Sequence, residues 1–177
     1  MSQDQKPPSV PPVQRQRSQT IDRLWADVEK LIAGSHLFRC LDDAGREALL
    51  QRGRLMLFPA GTVIVREGEP GDSFFVIDQG VVEVVTQSSA GEISLTTLQR
   101  GAFFGEVSVL TNAMRTATVT ALTDTATVAF ERKDVDELLS SNPKAKRLLD
   151  AVMNGRARDT AEKVAKASLV PPDGDGT

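Results

Sequence analysis

The pattern of hydrophobic and polar residues divides the chain into two helical parts with strands between them. In residues 20–35 the apolar residues recur every three or four positions, which predicts an amphipathic helix that begins after Thr20 and ends at Gly34. From Arg54 to Arg132 the period falls to two, and turn residues recur every eight to twelve positions, which is typical of antiparallel strands. Helical spacing returns after residue 132. The helical stripe in 20–35 comprises Ile21, Leu24, Trp25, Val28, Leu31 and Ile32.

Further helices flank the predicted strands. Asp42 and Asp43 are good N-cap residues and predict a helix to about Gln51. A short helix begins at Lys133, and Asn142-Pro143 opens a longer one to about residue 167, because proline is well tolerated at the first helical position.

The strand part predicts an eight-stranded antiparallel jelly-roll barrel (a double-stranded β-helix), in a mainly β fold with flanking helices. Glycines 61, 71, 80, 91 and 101 separate the strands as turn residues. The predicted strands are 54–58, 62–66, 73–78, 81–86, 92–98, 102–104, 116–121 and 125–131.

These elements give a simple domain organisation. Residues 1–19 are rich in Pro, Gln and Ser and predict a disordered tail, followed by the helix of 20–35. One domain covers 36–167, with the barrel at about 54–131 and C-terminal helices at about 133–167. Residues 168–177 contain helix breakers and predict a second disordered tail.

Composition narrows the function classes. The 177 residues are 40% hydrophobic and carry a net charge of -3, which gives no reason to expect bulk nucleic-acid binding. There is no apolar run near the roughly 20 residues that span a bilayer, and no apolar signal-peptide core, so we expect a cytoplasmic protein without a membrane span. With one cysteine (Cys40) and one histidine (His36), the chain has little material for a disulfide, a metal site or histidine catalysis.

The most informative stretch is residues 101–118. Phe103 and Phe104 end an apolar run, Gly105 permits a sharp turn, and residues 106–110 read as one helical turn with its exit at 111–112. Arg115 then stands at the start of the strand predicted for 116–121. Turn amides at a helix start, together with a nearby guanidinium, are suited to a phosphate. Glu106 would repel a dianion, so we expect it to accept hydrogen bonds from sugar hydroxyls. Phosphate and sugar together indicate a nucleotide.

The spacing Phe-Gly-Glu, nine residues to Arg115, then Thr-Ala-Thr closely resembles the phosphate-binding cassette of cyclic nucleotide-binding domains. This family includes regulatory subunits of cyclic AMP-dependent kinase, cyclic nucleotide-gated channels and the bacterial catabolite activator. The resemblance extends over residues 36–165 and includes the turns at 59–61, 66–72 and 78–80. It implies a barrel of the predicted kind and a last helix that closes over the purine as a lid.

The resemblance also implies roles for individual residues. Arg115 would pair with the cyclic phosphate, and Glu106 would accept from the ribose 2′-hydroxyl. Met114 replaces the family's usual proline before the arginine, which leaves the backbone φ there less restricted. The remaining phosphate-site candidates are the backbone amides of Gly105, Val107 and Ser108, the hydroxyl of Thr116, and Ala117, which would pack behind it.

For the base, alternation on the fourth and fifth strands and alignment with channel members predict purine walls at Val84, Thr86, Thr96 and Leu98. On the lid helix, Arg156 stands where some channel members carry a base-contacting arginine, and Met153 could cover the ring. Threonine at 116 permits cGMP recognition and also occurs in members that prefer cAMP, so the base stays open.

We therefore expect a non-enzymatic sensor whose ligand is cAMP or cGMP and which needs no other cofactor. Binding would rearrange the lid helix and the N-terminal helix and signal to an unidentified protein effector or across a homo-oligomer. About ten residues follow the lid helix, which is too few for a helix-turn-helix DNA-binding module. One alternative is an interaction protein with the same barrel and vestigial binding. Another is a metal-dependent jelly-roll enzyme, which would need a cluster of histidines.

Overall fold

The computed structural model describes residues 41–89 and 91–169. The predicted tail at 1–19, the helix at 20–35 and residues 170–177 of the C-terminal tail lie outside the described residues.

Among the described residues, eight strands form two four-stranded antiparallel sheets, in the orders β1-β8-β3-β6 and β2-β7-β4-β5. This confirms the predicted mainly β fold with flanking helices, and the strand order is that of a jelly roll. The strands are β1 (Arg54–Phe58), β2 (Val63–Val65), β3 (Ser73–Gln79), β4 (Val81–Ser88), β5 (Gly91–Gln99), β6 (Phe103–Phe104), β7 (Thr118–Ala121) and β8 (Thr125–Glu131).

Four helices lie in the described part of the chain: α1 (Asp43–Arg52), α2 (Glu106–Thr111), α3 (Arg132–Ser141) and α4 (Pro143–Leu169). The Asp42 side chain caps α1 by accepting a hydrogen bond from the Gly45 amide at 2.8 Å. The short α2 ends at Asn112, whose φ of 56° is the left-handed conformation that asparagine tolerates. Helix α4 begins at Pro143, as predicted, and extends two residues beyond its predicted end.

The central strands β3 and β8 are buried on both faces, because they contribute to two separate cores. Alternate residues of β3 point in opposite directions. Phe74 and Val76 pack with residues of all four helices, whereas Phe75 and Ile77 pack between the two sheets. These two cores fix β3 between the helices and the second sheet. The loop that precedes β3 is thereby held beside α2.

The strand predicted for 116–121 begins two residues late. The Arg115 amide donates to the Glu69 carbonyl at 2.8 Å, and the Arg115 carbonyl accepts from the Gly68 amide at 2.9 Å. Because residue 115 pairs with this loop, the chain must bend at Thr116 and Ala117 before β7 joins its sheet at Thr118. The prediction that Thr116 and Ala117 belong to the strand is therefore wrong.

Helix α4, with 27 residues, is the longest element in the described part of the chain, and it passes from the helical layer to β5. Its first part buries Ala145 and Leu149 in the helical core. Farther along, the Lys163 ammonium donates to the Leu95 carbonyl on β5. Within residues 41–89 and 91–169, no helix is long and apolar enough to cross a membrane.

Candidate functional site

Arg115 is buried at the junction of α2, β3 and β7, with 8% of its surface exposed. Its Nη1 donates to three acceptors, which share its two hydrogens: the Ser73 carbonyl at 2.9 Å, the Gly105 carbonyl at 3.2 Å and the Ser108 hydroxyl at 2.7 Å. No hydrogen bond between described residues uses its Nε or Nη2. One edge of the guanidinium is therefore fixed by the protein, and the remaining nitrogens keep their donors for a ligand.

Two glycines make room for this guanidinium. A Cβ at Gly71 would lie 2.3 Å from Arg115 Nε, and a Cβ at Gly105 would lie 2.7 Å from Nη1. Gly105 also has a φ of 84°, which side chains rarely adopt, and it caps the start of α2. The sharp turn expected at Gly105 is therefore present, and it lets the arginine approach the backbone.

The charge of Arg115 is only partly compensated by its surroundings. Burial lowers the pKa of the guanidinium, while the charges of Asp72 and Glu106 act in the opposite direction. No carboxylate of the described residues lies within salt-bridge distance of Arg115. Since arginine stays protonated, a buried cation with an incomplete set of anionic partners favours an added anion.

Glu106, the first residue of α2, is buried at 4% exposure. Its Oε1 accepts from Arg156 Nη1 of α4 at 2.8 Å. The same guanidinium lies over the Phe103 ring, 4.8 Å from its centroid, which is a cation–π contact. The structure thus brings Glu106 and Arg156 together across 50 residues of chain. No hydrogen bond between described residues uses Oε2 of Glu106.

Arg132, the first residue of α3, joins the loop before β3 to the short α2. Its Nη2 donates to the Gly71 carbonyl at 2.8 Å and the Ser108 carbonyl at 2.9 Å, and its amide donates to the Asp72 carbonyl at 2.7 Å. These bonds connect the surroundings of Arg115 directly to the helices that lead into α4.

The predicted purine walls lie on β4 and β5, which pair antiparallel. Val84 lies opposite Thr96 in the register, and Leu98 lies opposite Val82. Val84 and Leu98 also pack against the core between the sheets. Thr86 is different. The residue is 5% exposed and its hydroxyl donates to Glu67 Oε1 at 3.1 Å, so its observed contact is a structural one.

The other predicted residues surround this cluster. Val107 is half-buried on α2, Thr116 is exposed in the bend before β7, and Ala117 and Met153 are half-buried. Arg156 was predicted to contact the base. In the structure it bonds Glu106, the residue that was predicted to bind the ribose.

Comparison with known proteins decides the family. A family model described as "Cyclic nucleotide-binding domain" matches residues 55–142. The chain belongs to the cyclic nucleotide-binding domain family. Its predicted membership is thereby confirmed, and the domain is of the regulatory kind that channels and kinase regulatory subunits contain.

Relatives of this cyclic nucleotide-binding domain include a cyclic nucleotide-gated potassium channel of Mesorhizobium japonicum, 36% identical over 64% of this chain and 30% of the channel. A solved structure described as cAMP-bound PfPKA-R is 31% identical, with a TM-score of 0.62 over 66% of this chain and 42% of that one. The catabolite activator protein of Thermus thermophilus is 28% identical, with a TM-score of 0.65 over 75% of this chain and 62% of that one. The chain spans a third or less of the length of such curated relatives.

Sequence reasoning missed several residues of the site. Ser73 contributes a backbone carbonyl, for which the sequence carries no signal. Gly71 and Asp72 lie in a turn that the sequence indicated, but no role at the site was predicted for them. Phe103 was predicted to lie in a strand, and its contact with Arg156 was not predicted. Arg132 was missed because an arginine at a strand–helix junction is usually solvated.

Proposed function

We propose that this chain is a sensor that binds cAMP or cGMP, with the cyclic phosphate at Arg115 and the ribose at Glu106. What supports the phosphate assignment most is the one-sided anchoring of Arg115. Nη1 is held by three protein acceptors, so the planar guanidinium is preorganised and its other donors can bind anionic oxygens. The amides at the start of α2 would add donors beside the arginine.

Glu106 is suited to the ribose because it is buried and because its Oε2 accepts no hydrogen bond from the described residues. Arg156 bonds Oε1, and a ribose 2′-hydroxyl can donate to Oε2 without displacing Arg156. The ligand and α4 would then share one carboxylate. Ribose binding would thereby favour the arrangement in which α4 contacts the site, and this difference in affinity between two helix arrangements is what a sensor requires.

The base would lie along β4 and β5, between Val84, Thr96 and Leu98 on one side and Met153 of α4 on the other. Thr116 is exposed close to Arg115 in the chain and offers a hydroxyl to the phosphate or to a guanine amino group. The signal would pass through α4 and the segment before residue 41 to an effector protein or a second copy of the chain.

Calorimetric titration with cAMP and cGMP, with 5′-AMP as a control, tests the binding function. We expect at least one of the cyclic nucleotides to bind and 5′-AMP to bind far more weakly, because a dianionic phosphate at Arg115 would be repelled by the nearby carboxylate of Glu106. Failure of both cyclic nucleotides to bind the folded protein would leave a barrel of the same family with vestigial binding.

The variant Arg115→Gln tests the site. We expect it to fold and to lose about 2–5 kcal/mol of binding free energy, as when one partner of a buried charged pair is truncated. Arg158→Gln, which changes an exposed residue of α4, is the matched control and should bind like the unchanged chain. Equal affinity of the two variants would contradict the assignment of Arg115.

A further inference from the structure

Ser108 makes the shortest of the three contacts that hold the guanidinium of Arg115. Its Oγ lies 2.7 Å from Nη1, and the residue is 1% exposed. The same Oγ donates to the Gly105 carbonyl at 3.2 Å, one helical turn earlier. A continuous chain of hydrogen bonds therefore leads from the arginine through the hydroxyl to the start of α2.

The direction of these bonds is fixed by chemistry. A hydroxyl has one hydrogen and two lone pairs, whereas a guanidinium can only donate. The Ser108 hydrogen is used on the Gly105 carbonyl, so the oxygen presents a lone pair to Nη1 and has no hydrogen left for a ligand. The hydroxyl thus acts on Arg115 rather than on a bound phosphate.

The surroundings leave the arginine little freedom on this side. A Cβ at Gly71 would lie 2.6 Å from Ser108 Oγ and 2.5 Å from Arg115 Cζ. Gly71, Ser108 and Arg115 therefore occupy one closely packed space, in which the hydroxyl and the guanidinium can meet only because residue 71 has no side chain.

We propose that Ser108 is a positioning residue for phosphate recognition. Its hydroxyl fixes Nη1 to the first turn of α2, and because the guanidinium is planar this orients Nε and Nη2 toward the ligand. The inference rests on the proposed function of Arg115 as the phosphate-binding residue, and it adds the residue that sets the orientation of that arginine.

Binding of cAMP to Ser108→Ala, in chains with and without Arg115→Gln, is the first test. We expect Ser108→Ala to weaken binding about tenfold when Arg115 is present, the lower end for losing a hydrogen bond to a charged group. In the Arg115→Gln background the same change should have almost no further effect. An unchanged affinity, or an equal loss in both backgrounds, would overturn the positioning role.

Thr111→Ala is the matched control. Thr111 lies on the same helix and its hydroxyl also bonds a backbone carbonyl, that of Val107, without reaching Arg115. Its affinity for cAMP should equal that of the unchanged chain. If Ser108→Ala does not fold, Ser108→Cys replaces it, because the somewhat larger thiol still fills the space of the hydroxyl and is only a weak acceptor.

A ligand-free measurement separates this inference from the proposed function. Nitrogen-15 NMR of the arginine side chains should show slow rotation of the Arg115 amino groups in the unchanged chain and in Thr111→Ala, and faster rotation in Ser108→Ala. If the unchanged chain binds no cyclic nucleotide, the proposed function fails, and this measurement alone decides whether Ser108 positions Arg115. Equal rotation in all three proteins would refute the positioning role.

Discussion

At the scale of single residues, the site depends as much on the donors and the space that its residues leave free as on the contacts that they make. Arg115 is held by carbonyls of Ser73 and Gly105, which lie 42 and 10 residues away in the chain. Spacing along the sequence indicated the arginine and the glutamate. It could not indicate these acceptors, because every residue carries a carbonyl and only the fold selects which ones meet.

Gly71→Ala tests whether the free space at residue 71 is required. The new Cβ would lie 2.3 Å from Arg115 Nε and 2.6 Å from Ser108 Oγ, so the guanidinium must shift. We expect a loss of about 1–3 kcal/mol in the free energy of unfolding, as for other overpacked sites, together with weaker cAMP binding. Urea denaturation and calorimetry measure the two effects. Unfolding and binding that both match the unchanged chain would contradict this packing.

At the scale of helices and strands, much of the fold could be predicted. The bounds of β1 and β8 are those predicted, and Asp42 and Pro143 open helices as expected, because local spacing and capping determine these features. The pairing of β1 with β8, which joins Arg54 to Ala129, depends on distant residues and could not be deduced. The same holds for the late start of β7, which follows from the pairing of Arg115 with residues 68 and 69.

The contact between α4 and the site gives a prediction for Arg156→Gln. The variant loses the 2.8 Å bond to Glu106 and the contact with Phe103. We expect hydrogen exchange of the α4 amides near residue 156 to show local opening that is easier by about 1–2 kcal/mol, since Arg156 is partly solvated. Arg158→Gln, on the exposed face of the same helix, should exchange like the unchanged chain. Identical exchange in both variants would show that the Glu106 contact does not hold α4.

A salt bridge between α1 and α3 gives a prediction about pH. Arg52 Nη1 and Nη2 donate to the Glu137 carboxylate at 2.6 and 2.9 Å, and this hydrogen bonding, followed by the positive charge, lowers the pKa of Glu137. A carboxyl with a lowered pKa stabilises the folded state above its unfolded pKa, near 4.5, and this contribution is lost as the pH falls through the folded value.

Arg52→Gln should therefore be less stable than the unchanged chain at pH 7, and the difference should shrink as the pH falls below about 4. Urea denaturation over pH 3–7 measures it. Arg158→Gln, which removes an exposed positive charge of α4 without breaking a salt bridge between described residues, controls for the loss of a positive charge. A difference that stays constant over this pH range would show that Glu137 is not the partner that matters.

At the scale of the whole molecule, the candidate site lies where one sheet and two helices meet. The sheet β1-β8-β3-β6 supplies Ser73, the short α2 supplies Glu106 and Ser108, and α4 supplies Arg156. Arg132 connects the loop before β3 and the short α2 to the helical layer. Its side chain donates to the carbonyls of Gly71 and Ser108, and its backbone begins α3. A ligand that orders α2 would therefore affect α3 and α4 by two routes, through Glu106 to Arg156 and through Ser108 to Arg132.

Arg132→Gln separates these two routes. Because its Nη2 bonds two carbonyls at 2.8 and 2.9 Å, the variant should lose about 1–3 kcal/mol of stability and still keep Arg115 and Glu106. With saturating cAMP, hydrogen exchange should show normal protection of α2 but reduced protection of α3, since only the route through Arg156 remains. Lys133→Gln, at the next residue, changes an exposed side chain that pairs with Glu131. This control should keep the stability of the unchanged chain and, with saturating cAMP, its protection of α3. Equal protection of α3 in the two variants would mean that Arg132 stabilises the fold without carrying the effect of the ligand.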